Sequence, residues 1–136
     1  MISLEFLKSE LKNHSLELTA KTEGREGVDF LIGDNQIYLQ PLDLDVVKQS
    51  IKIAKQDLGE PNDNLFIALV LIMEEQPRVV YIIPSKDLQD SNNNFFVNNE
   101  VNLMSSLSNW EIKVSSNTIP ELAKYALENM IDKLKS

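Results

Sequence analysis

The chain has 136 residues and a mass of 15.5 kDa; 43% of it is hydrophobic and 25% charged, the balance of a single globular domain with a real core. It contains no cysteine, which excludes disulfides and thiolate metal sites and points to a reducing compartment, the cytoplasm by default. With 21 acids against 13 bases the net charge is −8, and this opposes a free-standing nucleic-acid binder, whose affinity comes largely from phosphate neutralisation.

In chain order, Ser3–Leu11 reads as a short helix, with Ser3 as its N-cap, Glu5 in the first turn and Leu4, Leu7 and Leu11 on one face. The charges interleaved with these leucines do not resemble a secretory signal. Leu16–Ala20 alternates as a strand, and a polar, glycine-punctuated loop follows at residues 23–27. Two apolar runs, Val28–Ile32 and Ile37–Leu39, flank Gly33, Asp34 and Asn35, residue types that favour a tight reversal. A reversal centred between Asp34 and Asn35 sets Asp29 directly opposite Gln40, so that acid and amide share a face. Leu42 lies two residues on, on that same face.

Asp43 or Asp45 caps a helix expected over Val46–Leu58. Its apolar positions Val47, Ile51, Ala54 and Leu58 form a core face, and Lys48, Lys52 and Lys55 form a stripe on another. Residues 59–64 break the chain. Leu65–Met73 is apolar on both faces and reads as a covered central strand; at nine residues it is about half the ~18 that a membrane span needs. Residues 74–77 turn the chain and Val79–Ile83 returns antiparallel. Residues 90–94 form a polar loop. Phe95–Val97 reads as a short edge strand, Leu103–Leu107 as a turn or two of helix and Trp110–Val114 as another extended piece. Thr118 and Glu121 have the spacing of a capping box, and an apolar stripe from Ile119 to Leu134 predicts one terminal helix. These elements predict a single α/β domain over residues 1–136, a mixed sheet with a hairpin core flanked by helices.

An aspartate after a short apolar strand, followed by a second strand ending in Gln40-Pro41-Leu42, resembles the PD-(D/E)XK, or restriction-endonuclease-like, nuclease superfamily. The segment VVYIIPSKDL after an oily strand extends the likeness, in element order, to roughly residues 1–115. The resemblance implies a restriction-endonuclease-like fold and a divalent ion, Mg²⁺ or Mn²⁺, held by Asp29, by Gln40 and by the backbone carbonyl of Pro41. It also implies a lysine where this chain has Leu42, which makes the chain a degenerate member of the superfamily. Leucine can neither move a proton nor stabilise developing charge, and such a group is typically worth ~10²–10⁴-fold in rate.

Two functional readings follow. One is a nuclease-like domain that no longer cuts and serves as a binding or structural module, its partner a protein or a second copy of itself. The other is a metal-dependent nuclease in which Lys48 or Lys52, on the helix after the strand, takes over the missing cation's role and joins Asp29 and Gln40 as catalytic residues. Plainer readings stand beside these: Asp29 as a strand-end acid bonded to backbone, Gln40 as an amide closing a sheet end, and the lysines as a solvated face. Nothing else in the chain offers chemistry. His14 is the only histidine and sits just past a helix, the four glycines lack phosphate-loop spacing, and Trp110 and the Phe95–Phe96 pair read as packing.

Overall fold

A computed structural model describes residues 2–20, 24, 28–45, 50–90, 95–100, 107–115 and 117–135. The chain begins with α1 (Ile2–Lys12), whose Leu7 and Leu11 are fully buried. Ser3 lies within this helix and is itself buried; it does not cap it. After the two-residue β1 (Thr19–Ala20), β2 (Asp29–Ile32) and β3 (Asn35–Asp43) form the expected hairpin.

The hairpin's register differs from the expected one. Ile32 pairs with Asn35 and Asp29 with Tyr38, so the turn is Gly33-Asp34 and Asn35 belongs to the strand. Two contacts explain the shift. Gly33 adopts φ 59°, the left-handed value that a type II′ turn asks of its first central residue. Asn35 is buried and donates its side-chain N–H to the carbonyl of Leu134 at 3.0 Å, which draws it out of the turn.

β5 (Leu65–Met73) runs parallel to β3 from Gln36↔Leu65 to Asp43↔Ile72, and β6 (Gln76–Pro84) returns antiparallel to β5. Their turn is Glu74-Glu75 alone, with φ of 55° and 63°. A register irregularity after Leu71 accommodates Pro77, which cannot donate to the ladder. The resulting five-stranded sheet has the order β1-β2-β3-β5-β6. Residues Leu65–Val70 are all buried, as their unbroken hydrophobicity predicts.

The helix expected over Val46–Leu58 is corrected. Ser50–Ala54 is a strand, β4, and only Lys55–Leu58 is helical (α2); residues 46–49 lie outside the described residues. The sequence from Ser50 to Ala54 fits period 2 as well as period 3.6, because Ile51 and Ile53 alternate with Lys52. Pairing to a distant strand decides between them: Ile51 faces Ile112 and Ile53 faces Trp110 on β8 (Asn109–Lys113). With β7 (Phe96–Asn99) these strands form a separate three-stranded antiparallel sheet, order β4-β8-β7, where a single sheet was expected. The expected helix at Leu103–Leu107 falls outside the described residues except for Leu107.

The terminal helix is also interrupted. It comprises α3 (Ile119–Leu122), a 3-10 turn over Ala123–Tyr125, and α4 (Leu127–Lys135). At Ala126 the backbone is extended (φ −53°, ψ 143°) and bridges to Tyr81 at the edge of β6. Thr118 makes no cap bond. Its hydroxyl accepts from the Ser115 N–H at 2.9 Å and donates to the Lys113 carbonyl at 2.8 Å, tying the helix start to the end of β8.

One hydrophobic cluster runs through both sheets and helices, from Leu7 and Leu11 through Ile67, Leu69 and Ile82 to Ile112 and Leu134. The architecture is mixed α/β. Among the described residues, no helix is long and apolar enough to cross a membrane.

Candidate functional site

The sequence places its candidate site on the β2–β3 hairpin. Because Asp29 pairs with Tyr38, Gln40 is its diagonal neighbour, two residues further along β3; the direct opposition expected from sequence does not occur. The ladder between β3 and β5 is unbroken from Gln36 to Asp43, so the pleat keeps period 2 and Tyr38, Gln40 and Leu42 share a face with Asp29. Diagonal neighbours stand roughly 7–8 Å apart at Cα, still within reach of long side chains. Asp29, Gln40 and Pro41 are each half-buried.

Leu42 is 1% exposed and lies beside Leu71 in the parallel ladder, as Gln40 lies beside Leu69; both β5 partners are buried. The position that the resemblance assigns to a cation is therefore a dry aliphatic contact. An ammonium there would lose its hydration without gaining a partner, at a cost of several kcal/mol.

The fit of a divalent ion can be judged from the donors present. Gln40 donates its side-chain N–H to the carbonyl of Pro41 at 2.9 Å, so the amide is bonded to the very oxygen that would serve as the backbone ligand. Asp29 is the one carboxylate among the three candidate ligands, and no group of three or more His, Asp or Glu that could hold a metal occurs among the described residues. Mg²⁺ and Mn²⁺ favour hard, anionic oxygen donors in near-octahedral array. Asp29, Gln40 and Pro41 do not fit that demand.

The lysine stripe dissolves with its helix. Lys52 is exposed on β4, opposite Glu111 and in a different sheet from Asp29. Lys48 lies outside the described residues. Asp43 and Asp45, expected as helix caps, instead shape the end of β3. The Asp43 carboxylate accepts from the Asp45 N–H at 2.9 Å, and that of Asp45 accepts from the Glu75 N–H at 3.2 Å, pinning the strained Glu74-Glu75 turn. His14 stands where the sequence put it, in the turn that ends α1, with its N–H on the Leu11 carbonyl at 3.0 Å.

The chain matches no family model, no curated protein and no solved structure.

Sequence reasoning missed a second concavity. A cleft of about 480 Å³ opens between α2, the loop after it, the end of the 3-10 turn Ser85–Gln89, β7 and β8. Lys55 is its charged centre. The Lys55 ammonium lies 4.3 Å from the centroid of the Trp110 ring, bonds the Asn98 side-chain oxygen and pairs with Glu100 at 3.0 Å. The hydrogen bond from Lys55, followed by one from Ser108, holds the Glu100 carboxyl below the usual carboxylate range. Trp110 is 5% exposed, as expected of a packing residue, yet its buried indole N–H has no acceptor among the described residues. The one signal in the sequence was the pairing of a lone tryptophan with a lysine on an adjoining strand end, and that adjacency exists only once β4 pairs with β8.

Proposed function

We propose that this chain is a nuclease-like α/β domain that does not cut, retained as a binding or structural module whose contacts are with protein. The observation that carries this reading is Leu42, packed at 1% exposure where hydrolysis would need a cation. Two features support it. Gln40 is bonded to the Pro41 carbonyl, and Lys52 faces Glu111 in the other sheet. The restriction-endonuclease-like fold is part of the proposal, supported by a hairpin whose second strand pairs with a parallel neighbour within a mixed sheet. Net charge −8 favours a protein partner, or a second copy of the chain, over nucleic acid.

The test is incubation of supercoiled plasmid and of single-stranded DNA with the purified chain in Mg²⁺ or Mn²⁺. The expected result is intact substrate in every lane. Cleavage that Asp29→Ala abolishes would overturn the reading and restore the alternative of a working metal-dependent nuclease. Sedimentation of the same sample across a concentration series reads self-association directly.

A further inference from the structure

The cleft around Lys55 differs in kind from the Asp29–Gln40 face. Its walls mix polar and apolar surface: Gln56, Gln89, Asn98 and Ser108 surround the Lys55–Glu100 pair, and Pro61 and Trp110 add an aliphatic and an aromatic face. Its volume falls within the ordinary range for small-molecule sites, roughly 300–1,000 Å³, but its polarity suits a small hydrophilic ligand better than an oily one.

Charge narrows the ligand further. Among the described residues, Lys55 is the only cation lining the cleft and Glu100 and Glu60 are its acids, so a polyanion such as a nucleotide finds a single positive group facing carboxylates. A simple carboxylate would sit against Glu100, and a simple amine against Lys55. The Lys55 ammonium already lies over the Trp110 ring, which leaves that face closed to a stacked sugar. A molecule carrying both charges avoids each conflict. It opens one ion pair and forms two, with no change in net charge at the site.

We propose that this cleft binds a small zwitterion of the α-amino-acid type, with the ligand carboxylate on the Lys55 ammonium and the ligand ammonium on the Glu100 carboxylate. Several features make the pair suited to exchange. Glu100 is more than half exposed, with its side chain 56% accessible, whereas Lys55 is only 20% accessible and is held by Asn98 as well as Glu100. Lys55 is also fixed at its backbone, its N–H on the Ser108 carbonyl at 3.0 Å and its own carbonyl taking the Gly59 N–H at 2.9 Å. The amide side chains around the pair offer both donors and acceptors to a polar ligand side chain.

Trp110 is the chain's single tryptophan, so its emission reports on this cleft alone. The twenty common amino acids are titrated one at a time, at millimolar concentrations, into the full chain while tryptophan fluorescence is recorded. A saturable change with at least one of them is expected. For that amino acid, the N-acetyl derivative, which lacks the ammonium, and the α-amide, which lacks the carboxylate, should each bind about tenfold more weakly or worse, the scale of one lost charge-assisted hydrogen bond. Lys55→Gln and Glu100→Gln, checked for folding by circular dichroism, should weaken binding to the same extent. No saturable response across the panel overturns the proposal; so does equal binding of either derivative, a control that involves no variant and no risk of unfolding. The outcome is independent of whether the chain cuts DNA.

Discussion

Replacing Leu42 with lysine tests whether that position is a site or a core. In the nuclease pattern the lysine belongs there, and a face open to substrate would accept it. In this structure Leu42 is 1% exposed beside Leu71, so the introduced ammonium must either lose its water or lose its proton. Losing the proton is the cheaper route. Deprotonating a group with an ordinary pKa of about 10.4 at pH 7 costs about 4–5 kcal/mol, at 1.36 kcal/mol per unit. That is a large part of the roughly 5–15 kcal/mol that holds a domain together. Because the lysine stays charged only in the unfolded chain, the unfolded state binds the extra proton and stability rises with pH. The deficit should shrink by about 1.4 kcal/mol per pH unit and nearly vanish close to pH 10. Urea denaturation of Leu42→Lys beside the parent chain, at pH 7 and at about pH 9.5, measures both terms. The expected midpoint loss is about 2 M at neutral pH and well under 1 M at the higher pH, for a slope near 2 kcal/mol/M. Leu42→Met, which conserves volume, should cost less than about 1.5 kcal/mol at either pH. A Leu42→Lys chain as stable as the parent at pH 7, with no dependence on pH, would refute the reasoning. Mn²⁺-dependent cleavage by that variant would show that the site keeps its geometry and lacks only its cation.

Tyr125 donates its hydroxyl to Asp87 at 2.8 Å, and burial first, then Asp87, raises its pKa. Stability tied to the neutral phenol is fully present below about pH 10 and falls as pH rises through and beyond the ordinary tyrosine value. Tyr125→Phe should therefore cost about 1.5–3 kcal/mol at pH 7 and flatten the alkaline limb of a stability–pH profile, and an unchanged limb would exclude Tyr125 as its source. Thr118→Val removes the hydroxyl that serves both Ser115 and Lys113 and should cost about 1–3 kcal/mol by chemical denaturation, with Thr118→Ser recovering most of it. An equal loss in Glu121→Ala would reinstate the capping box. Gly33→Ala meets open space at its new Cβ but keeps a φ of 59°, so the expected cost is the backbone term alone, about 1–2 kcal/mol in a thermal melt. A neutral result would mean that the turn is not built on Gly33.

Which segments are apolar, and at what period, is legible from the order of residues alone. From that alone came α1, the β2–β3 hairpin, β5, buried from Leu65 to Leu71, with its antiparallel return, the strands β7 and β8, and the packing of Trp110. Tertiary structure decided everything that needs a partner. The hairpin register, and with it the offset of Asp29 from Gln40, follows from Asn35 reaching a carbonyl 99 residues away on Leu134. Ser50–Ala54 satisfies helix and strand periods alike, and β8 settles the matter. The apolar stripe after Thr118 is continuous, yet the helix breaks at Ala126 because the edge of β6 offers a bridge. Leu42 shows the same division: its sequence says only that no cation stands there, and its place beside Leu71 says that none can be accommodated cheaply. A local pattern records which side of a segment avoids water. It carries no record of which distant segment will cover that side, and the chemistry available to the chain depends on that.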